Sequence, residues 1–254
     1  MNQTKTLDNL VALVTGGNGG LGLGMAIALK AAGAKVIICA RDVRKLKQVE
    51  KQYGFTTFML DVADEVAVAA MFQQIATQFG TLDIVINNAG IYEDQVITSL
   101  SREDWDSMIA SNLTSAFLCC KHAAGLMKHQ KSGKIINIGS MYSLFGHPNS
   151  VGYTTTKTAL LGLTRALAAE LGQWNITVNA ILPGWFATAI NGDLPQTQRG
   201  AQIRDRTPLG RWGKVDDIHQ LAVFLSSKGA DFITGACIPL DGGYSVSERN
   251  LYFE

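Results

Sequence analysis

The chain has 254 residues, of which 47% are hydrophobic and 17% charged, and its formal net charge is +1. This balance predicts one domain with a substantial core and excludes the strongly basic surface that nucleic-acid binding requires. No apolar run reaches the length of a membrane span, and the first residues lack the apolar core of a signal peptide. We therefore expect a cytoplasmic protein that binds neither nucleic acid nor membrane.

The boundaries of the domain and the metal-ligand residues can also be judged from the sequence. Residues 248–254 resemble a protease-site remnant of a recombinant fusion, so we expect a single domain at residues 1–247. Neither the four cysteines nor the four histidines have the spacing of metal ligands, so no metal site is expected.

Short apolar runs alternate with helical patterns along the chain. Strands are predicted at residues 11–15, 36–40, 57–60, 84–87, 134–138, 177–182 and 236–239. Helices are predicted at residues 22–32, 44–53, 66–79, 104–128, 153–172 and 215–226, and residues 185–213 are expected to form an irregular substrate lid. Continuously apolar strands that alternate with helices are typical of a parallel sheet covered on both faces. We predict an α/β, single-domain Rossmann fold with a doubly wound, mostly parallel seven-stranded sheet.

A glycine-rich turn joins the first predicted strand directly to a helix. From Thr15 to Gly22 it reads Thr-Gly-Gly-Asn-Gly-Gly-Leu-Gly. Glycine permits close approach of the backbone, and the free N–H groups at a helix start attract an anionic pyrophosphate. The turn is either a tight connection without a ligand or a dinucleotide site, and its place in a βαβ unit favours the dinucleotide.

The end of the second strand bears on which dinucleotide is bound. A carboxylate there binds the ribose hydroxyls of NAD, whereas arginine pairs with the 2′-phosphate of NADP. Ala40 occupies the carboxylate position and Arg41 follows it. NADP(H) is therefore favoured. NAD(H) stays an alternative, since Arg41 is otherwise a solvated charge and Asp42 can turn toward the ribose.

A tyrosine and a lysine four residues apart begin the predicted helix at residues 153–172. Tyr153 and Lys157 share one face of that helix. A neighbouring ammonium stabilises a phenolate and lowers its pKa toward the range that is useful for proton transfer. The pair is either a solvated feature of the helix surface or a general acid and base.

Further polar residues are predicted close to this pair. Ser140 follows the strand at residues 134–138, and Asn-Asn-Ala-Gly at residues 87–90 ends the fourth strand, at the sheet edge where ligands bind. Asn112 lies inside the predicted helix at residues 104–128, where asparagine is a poor helix former. It is either an exposed or helix-bending residue, or it marks a kink whose freed carbonyl holds a water.

Six motifs resemble, in order, those of the short-chain dehydrogenase/reductase family, and the likeness covers residues 7–246. They are Thr15-Gly16-x-x-x-Gly20-x-Gly22, Asn87-Asn88-Ala89-Gly90, Asn112, Ser140, Tyr153-x-x-x-Lys157 and Pro183-Gly184-x-x-x-Thr188. The resemblance implies hydride transfer between a nicotinamide cofactor and an alcohol or ketone, with Tyr153 as general acid and base. It implies that Ser140 binds the substrate oxygen, that Lys157 binds the nicotinamide ribose and lowers the Tyr153 pKa, and that Asn112 anchors a relay water.

The same resemblance implies where the cofactor binds and how subunits associate. The implied cofactor-binding residues are Thr15, Gly16, Asn18, Gly20, Leu21, Gly22, Arg41, Asp61, Val62, Asn88, Ala89, Gly90, Tyr153, Lys157, Pro183, Gly184 and Thr188. A homotetramer is implied through the two long helices and residues 241–244. A non-catalytic nucleotide-binding scaffold or redox sensor is the alternative, and it would be marked by loss of Tyr153, Lys157 or Ser140, none of which is lost.

The substrate walls are expected to follow Ser140 and Pro183. The expected residues are Met141, Tyr142, Phe145, His147, Trp185 and Phe186, which either line the substrate or pack a mobile lid. Ser140-Met141-x-Ser143 and Arg206-Thr-Pro-x-x-Arg211-Trp-Gly resemble the branch of the family with gluconate 5-dehydrogenase and 2-dehydro-3-deoxygluconate 5-dehydrogenase.

This second resemblance implies a sugar acid or polyol as the small-molecule substrate, with a 3-oxoacyl thioester or a broad range of carbonyl compounds as the alternative. Arg206 and Arg211 either clamp a substrate carboxylate, cap a helix or make a subunit contact.

Overall fold

One seven-stranded parallel sheet organises the protein. The structure is a computed structural model that describes residues 5–247, so the tail predicted at residues 248–254 lies outside the described residues. The strands are β1 Val11–Thr15, β2 Lys35–Ala40, β3 Thr56–Met59, β4 Ile84–Asn87, β5 Gly133–Ile138, β6 Ile176–Pro183 and β7 Cys237–Leu240. Their order is β3-β2-β1-β4-β5-β6-β7, and every neighbouring pair is parallel. The predicted sheet is confirmed, with each strand end within one residue of its predicted position.

Helices cover both faces of the sheet. They are α1 Gly20–Ala31, α2 Val43–Tyr53, α3 Glu65–Phe79, α4 Arg102–Ile109, α5 Ser115–Gln130, α6 Val151–Leu171, α7 Gln198–Arg206 and α8 His219–Ser226. One buried apolar cluster joins the strands to α3, α5 and α6, and a second joins them to α1, α2 and α8. Both layers therefore exclude water from the strands, as the continuously apolar strand sequences predict. The doubly wound, Rossmann-like architecture is confirmed.

The long helix predicted at residues 104–128 is interrupted. A single π-helical turn, Ala110–Thr114, lies between α4 and α5. Within it the buried Asn112 side chain accepts a hydrogen bond from Ile91 N at 2.7 Å and donates one to Ile91 O at 3.0 Å. These bonds hold the wide turn against the chain that follows β4, which is a common setting for a π-turn near a functional site.

The segment at residues 185–213 differs from its prediction. The expectation of an irregular stretch is wrong for Gln198–Arg206, which form α7 after two short 3₁₀ turns, Ala189–Asn191 and Leu194–Gln196. Thr197 caps α7 by accepting from Gly200 N at 3.1 Å. Because α7 buries only Gly200 and Ile203, no continuous apolar stripe marks it in the sequence.

Three further findings concern the part of the chain that the structure describes. None of the helices within residues 5–247 has the length and apolar character needed to cross a bilayer. The same residues contain no cluster of His, Cys, Asp and Glu side chains suited to a metal ion. All four cysteines are free thiols, and burial raises the pKa of both Cys39 and Cys120 to about 12.

Candidate active site

A cleft of about 600 Å³ opens at the carboxyl edge of the sheet. Its volume is in the range of small-molecule sites. Sixteen of the seventeen residues inferred to bind the cofactor line it: Gly16, Asn18, Gly20, Leu21, Gly22, Arg41, Asp61, Val62, Asn88, Ala89, Gly90, Tyr153, Lys157, Pro183, Gly184 and Thr188. The exception is Thr15, whose side chain is buried behind the glycine-rich turn.

The glycine-rich turn is fastened to the end of β4. Thr15 Oγ1 accepts from Asn88 N and Ala89 N, each at 3.0 Å, and Asn88 Nδ2 donates to Thr15 O at 2.9 Å. A Cβ on Gly22 would lie only 2.4 Å from Asn88 Nδ2 and 2.4 Å from Gly16 O. Only glycine fits this approach. The backbone at the start of α1 therefore borders the cleft, an arrangement suited to a bound anion.

The far end of the cleft contains the ion pair of Arg41 with Asp61 and one further basic residue, Lys45. Arg41 lies 3.6 Å from Asp61, and both side chains are exposed. Asp42 instead caps α2, accepting from Arg44 N at 2.9 Å and Lys45 N at 3.1 Å, and these bonds lower its pKa. Lys45 also lines the cleft. It was missed from the sequence, although a basic residue in the first turn of the helix after β2 was a usable signal.

The other end of the cleft brings together Ser140, Tyr153 and Lys157. The side chains of Tyr153 and Ser140 both line this end, and Lys157 Nζ lies 5.7 Å from the centroid of the Tyr153 ring. Lys157 Nζ also donates to Ile138 O at 2.8 Å. A neighbour that the sequence did not indicate is Tyr92, whose ring meets that of Tyr153 edge-on at 5.0 Å. The sheet edge and the start of α6 thus place hydroxyl and ammonium donors around one point.

Burial dominates the proton affinities of this pair. It raises the pKa of Tyr153 to about 12, with the hydrogen bond from Ser140 acting in the opposite direction, and lowers the pKa of Lys157 to about 8. In this structure Tyr153 therefore does not have the lowered pKa expected beside a lysine, because Lys157 is itself desolvated and directed at a carbonyl. A shift of that size in Lys157 costs roughly 3 kcal/mol, which favours a functional role over packing.

Ser140 is positioned by the short turn that follows β5. The chain forms a 3₁₀ turn at Met141–Ser143, and Ser140 Oγ accepts from Tyr142 N at 3.2 Å. Ser143 Oγ accepts from Ser140 N at 3.2 Å and donates to Lys157 O at 2.7 Å. One buried hydroxyl thus ties the strand end that carries Ser140 to the backbone of α6.

Asn112 supports this end of the cleft from behind without lining it. Its Nδ2 also donates to Thr156 Oγ1 at 3.2 Å, so the π-turn is linked to both the Ile91 segment and α6. A Cβ on Gly90 would lie 2.8 Å from Asn112 Oδ1 and 3.4 Å from Lys157 Nζ. The three residues therefore pack closely together.

The residues expected to form the substrate walls divide between two places. Met141, Tyr142, Trp185 and Phe186 line the cleft. Phe145 and His147 do not, because the chain turns away after the 3₁₀ turn.

Phe145 packs against the rings of Tyr142, at 5.6 Å, and Tyr244, at 6.1 Å. His147 stacks on Tyr142 at 4.6 Å and borders a separate cavity. Arg211 is engaged elsewhere by a bidentate ion pair with Asp217 at 2.6 and 2.8 Å.

Comparison with known proteins identifies the family. A family profile described as Enoyl-(Acyl carrier protein) reductase matches residues 16–245. The chain belongs to the short-chain dehydrogenase/reductase family. It is therefore an NAD(P)-dependent oxidoreductase, and the resemblance seen in its motifs is confirmed.

Relatives within the family act on different substrates. The 2-dehydro-3-deoxy-D-gluconate 5-dehydrogenase of Dickeya dadantii (strain 3937) is 38% identical over 247 residues, which cover 95% of this chain and 97% of that protein. A 3-oxoacyl-[acyl-carrier-protein] reductase of Pseudomonas aeruginosa is 37% identical over 247 residues, covering 95% and 100%. The crystal structure of a gluconate 5-dehydrogenase from Burkholderia cenocepacia J2315 in complex with NADP and tartrate has a TM-score of 0.91 at 33% identity, covering 95% of this chain and 97% of that one.

Proposed function

We propose that this short-chain dehydrogenase/reductase interconverts a secondary alcohol and a ketone on a sugar acid or related polyol, with NADP(H) as its cofactor. The observation that carries the proposal is the placement of the Ser140 and Tyr153 hydroxyls beside the buried Lys157, at one end of a glycine-bordered cleft. These groups match the needs of carbonyl reduction, in which an oxygen gains negative charge and a proton.

The residues of the cleft fit a dinucleotide. The glycine-rich turn leaves room for a pyrophosphate, because a Cβ on Gly19 or Gly20, which both line the cleft, would meet no atom within 4 Å. Arg41 and Lys45 provide two cations for a 2′-phosphate, which supports NADP(H), as does the NADP bound to the Burkholderia relative. Asp61 is assigned to the adenine, and Thr188 to the carboxamide. The bound nicotinamide supplies or accepts the hydride.

In the proposed mechanism the chain binds and protonates the substrate oxygen. Ser140 and Tyr153 donate hydrogen bonds to that oxygen, and a donor of this kind stabilises the transition state by about 3 kcal/mol. Tyr153 gives up its hydroxyl proton during reduction, and Lys157 stabilises the resulting phenolate by its charge.

Asn112 is proposed to anchor the relay water that returns a proton. Its side chain is occupied by Ile91 and Thr156, so the water has to bind its main-chain carbonyl.

A sugar acid is favoured over a thioester by the resemblance of Ser140-Met141-x-Ser143 and by the names of two relatives. The Pseudomonas relative keeps a 3-oxoacyl thioester as the second candidate. The test compares kcat/KM for a sugar keto acid, a neutral ketose and a 3-oxoacyl thioester, each with NADPH and NADH, by nicotinamide absorbance. We expect the highest value for the keto acid with NADPH. A higher kcat/KM for the thioester would refute the proposal of a sugar-acid substrate. If no ketone or alcohol were turned over, the proposed interconversion of alcohol and ketone would be refuted.

The pKa values of the site predict opposite pH dependences for the two directions. Since burial raises the Tyr153 pKa to about 12, Tyr153 keeps its proton for reduction throughout the neutral range. Lys157, with a pKa lowered to about 8, loses its charge above that pH. Ketone reduction should therefore be flat below about pH 8 and fall above it, whereas alcohol oxidation, which needs the phenolate that charged Lys157 stabilises, should rise with pH up to about 8. Initial rates between about pH 6 and about pH 10 test this, and a reduction rate that stays constant across that range would contradict it.

Three features expected from the sequence stay predictions: the homotetramer, the cytoplasmic location and the lid at residues 185–213. Exposed apolar side chains on the two long helices support association, namely Phe117 on α5 and Val151 on α6, which are 48% and 37% exposed. Trp185 supports a lid, because it lies at the start of that segment and lines the cleft.

A further inference from the structure

One face of α7 borders a second cavity of about 350 Å³ next to the cleft. Four residues with helical spacing form this face, and they are Arg199, Gln202, Ile203 and Arg206. The remaining wall is formed by His147, Trp185 and Tyr244. Two guanidinium groups on one helix face, opposite aromatic rings and an imidazole, make this a cationic cavity.

Neither Arg199 nor Arg206 forms an ion pair with a carboxylate within residues 5–247. Arg206 lies 4.3 Å over the Tyr244 ring and donates through Nη1 to the Tyr244 hydroxyl at 3.2 Å, while its Nε is buried with no partner among the described residues. Arg199 is exposed and forms no ion pair within 4.0 Å among residues 5–247. The pKa of His147 is lowered by burial, by the charge of Arg199 and, more weakly, by that of Arg206. Only Asp94 acts to raise it. The cavity therefore favours an anion.

The cavity lies one aromatic side chain away from the proton donor. Trp185 lines both the cavity and the cleft. The ring of Tyr142 lies 6.3 Å from that of Tyr153 on one side and 4.6 Å from that of His147 on the other. Within the described residues, Trp185 Nε1 and the Tyr142 hydroxyl are buried without hydrogen-bond partners. A buried donor without a hydrogen-bond partner is energetically costly, so we expect these two atoms to bind a polar group of a ligand at the boundary between the cleft and the cavity.

We propose that this cavity binds the carboxylate of a keto-acid substrate whose ketone lies at Tyr153, and that Arg206 and Arg199 on α7 are its charged partners. The inference rests on the proposed function of the protein as an oxidoreductase of sugar acids. Guanidinium and carboxylate groups match in shape and form strong charge-assisted pairs. In an extended 5-keto acid the ketone carbon and the carboxylate carbon are about 5 Å apart, since C–C bonds are about 1.5 Å long. Arg211, engaged by Asp217, has no part in this site.

The test measures selectivity between an acid and a neutral ketone. We would measure kcat/KM for 5-ketogluconate and for a neutral six-carbon ketose and take the ratio of the two values. This ratio is compared between the unaltered protein, Arg206→Gln and Arg199→Gln. The loss of one charge-assisted pair should lower this ratio about ten- to hundredfold in Arg206→Gln, and less in the more exposed Arg199→Gln. Arg204→Gln is the matched control, since Arg204 lies on the same helix but pairs with Asp205 outside the cavity.

A binding measurement separates this inference from the proposed function. Gluconate and inorganic phosphate are titrated into the protein with NADP⁺ present, and quenching of tryptophan fluorescence is followed, because Trp185 lines the cavity. Weaker gluconate binding in Arg206→Gln supports the carboxylate subsite, whether or not the protein turns over 5-ketogluconate. A lack of 5-ketogluconate turnover would refute the proposed sugar-acid activity but not the subsite. Equal losses for acid and neutral ketone, or arginine-dependent binding of phosphate but not of gluconate, would overturn the subsite. If Arg206→Gln does not fold, the same measurements of selectivity and gluconate binding on Arg199→Gln test the subsite.

Discussion

Replacing Tyr153 by phenylalanine is expected to lower kcat by about a hundredfold to ten-thousandfold, the range for loss of a general acid. The Tyr153 side chain lines that end of the cleft together with Ser140 and Lys157, and Lys157 Nζ lies 5.7 Å from the centroid of its ring. Without its hydroxyl the developing oxyanion receives no proton. Cofactor binding should be nearly unchanged, because the glycine turn, Arg41 and Lys45 are untouched. Stopped-flow rates and titration of NADPH fluorescence measure the two quantities.

A control is available on another helix. Tyr53 ends α2, outside the cleft, and its hydroxyl accepts a hydrogen bond from Gln52 at 2.9 Å. Tyr53→Phe therefore removes the same atom without touching the site, and its kcat should match that of the unaltered protein. If Tyr153→Phe retained most of its turnover, Tyr153 would not be the proton donor, and the neighbouring Tyr92 would be the next to examine.

Replacing Arg41 by alanine is expected to lower kcat/KM for NADPH about ten- to hundredfold and to change the value for NADH little. The reason is that a charge-assisted pair with a 2′-phosphate is worth about 1.5 to 3 kcal/mol and has no counterpart with NADH. Lys45→Ala should act in the same direction. Steady-state kinetics with both cofactors at a fixed ketone concentration provide the measurement.

The matched control for this prediction is Arg44→Ala. Arg44 lies in the same helical turn as Lys45, but it does not line the cleft, and it hydrogen-bonds to Asp42 through its backbone N–H. Its removal changes the net charge equally without removing a ligand. Equal losses with NADPH and NADH in Arg41→Ala would mean that Arg41 acts through its ion pair with Asp61 and not through a 2′-phosphate.

The features that were predictable from the sequence are local ones. Each strand is a short apolar run between helical patterns, so its ends were found to within one residue. The glycine turn and the four-residue spacing of Tyr153 and Lys157 are legible in the same way, because each is contained in one turn or one helix. The unfavourable asparagine at position 112 indicated a disturbed helix, and a π-turn is found there.

The features that were missed depend on contacts between distant parts of the chain. The partner of Asn112 is Ile91, which is 21 residues away, and nothing in the helix pattern points to it. The helix α7 has too few apolar residues to be recognised, and the site of Arg206 arises only where it meets Tyr244, 38 residues later. Tyr92 reaches Tyr153 in the same way, through the path of a loop. Residues of this kind become visible only once the elements are packed.

The hydroxyl of Ser143 has a consequence for how the substrate range of this enzyme can change. It holds Ser140 against the main-chain carbonyl of Lys157, so the distance between the two reacting segments is set by backbone atoms and one small side chain. In the following stretch, residues 144–149, Phe145 and His147 pack on the Tyr142 ring, whereas the other positions are exposed. We expect the exposed positions to accept other side chains, in evolution or by design, with little effect on proton transfer. We expect libraries that vary these positions to yield altered selectivity at undiminished chemical rates.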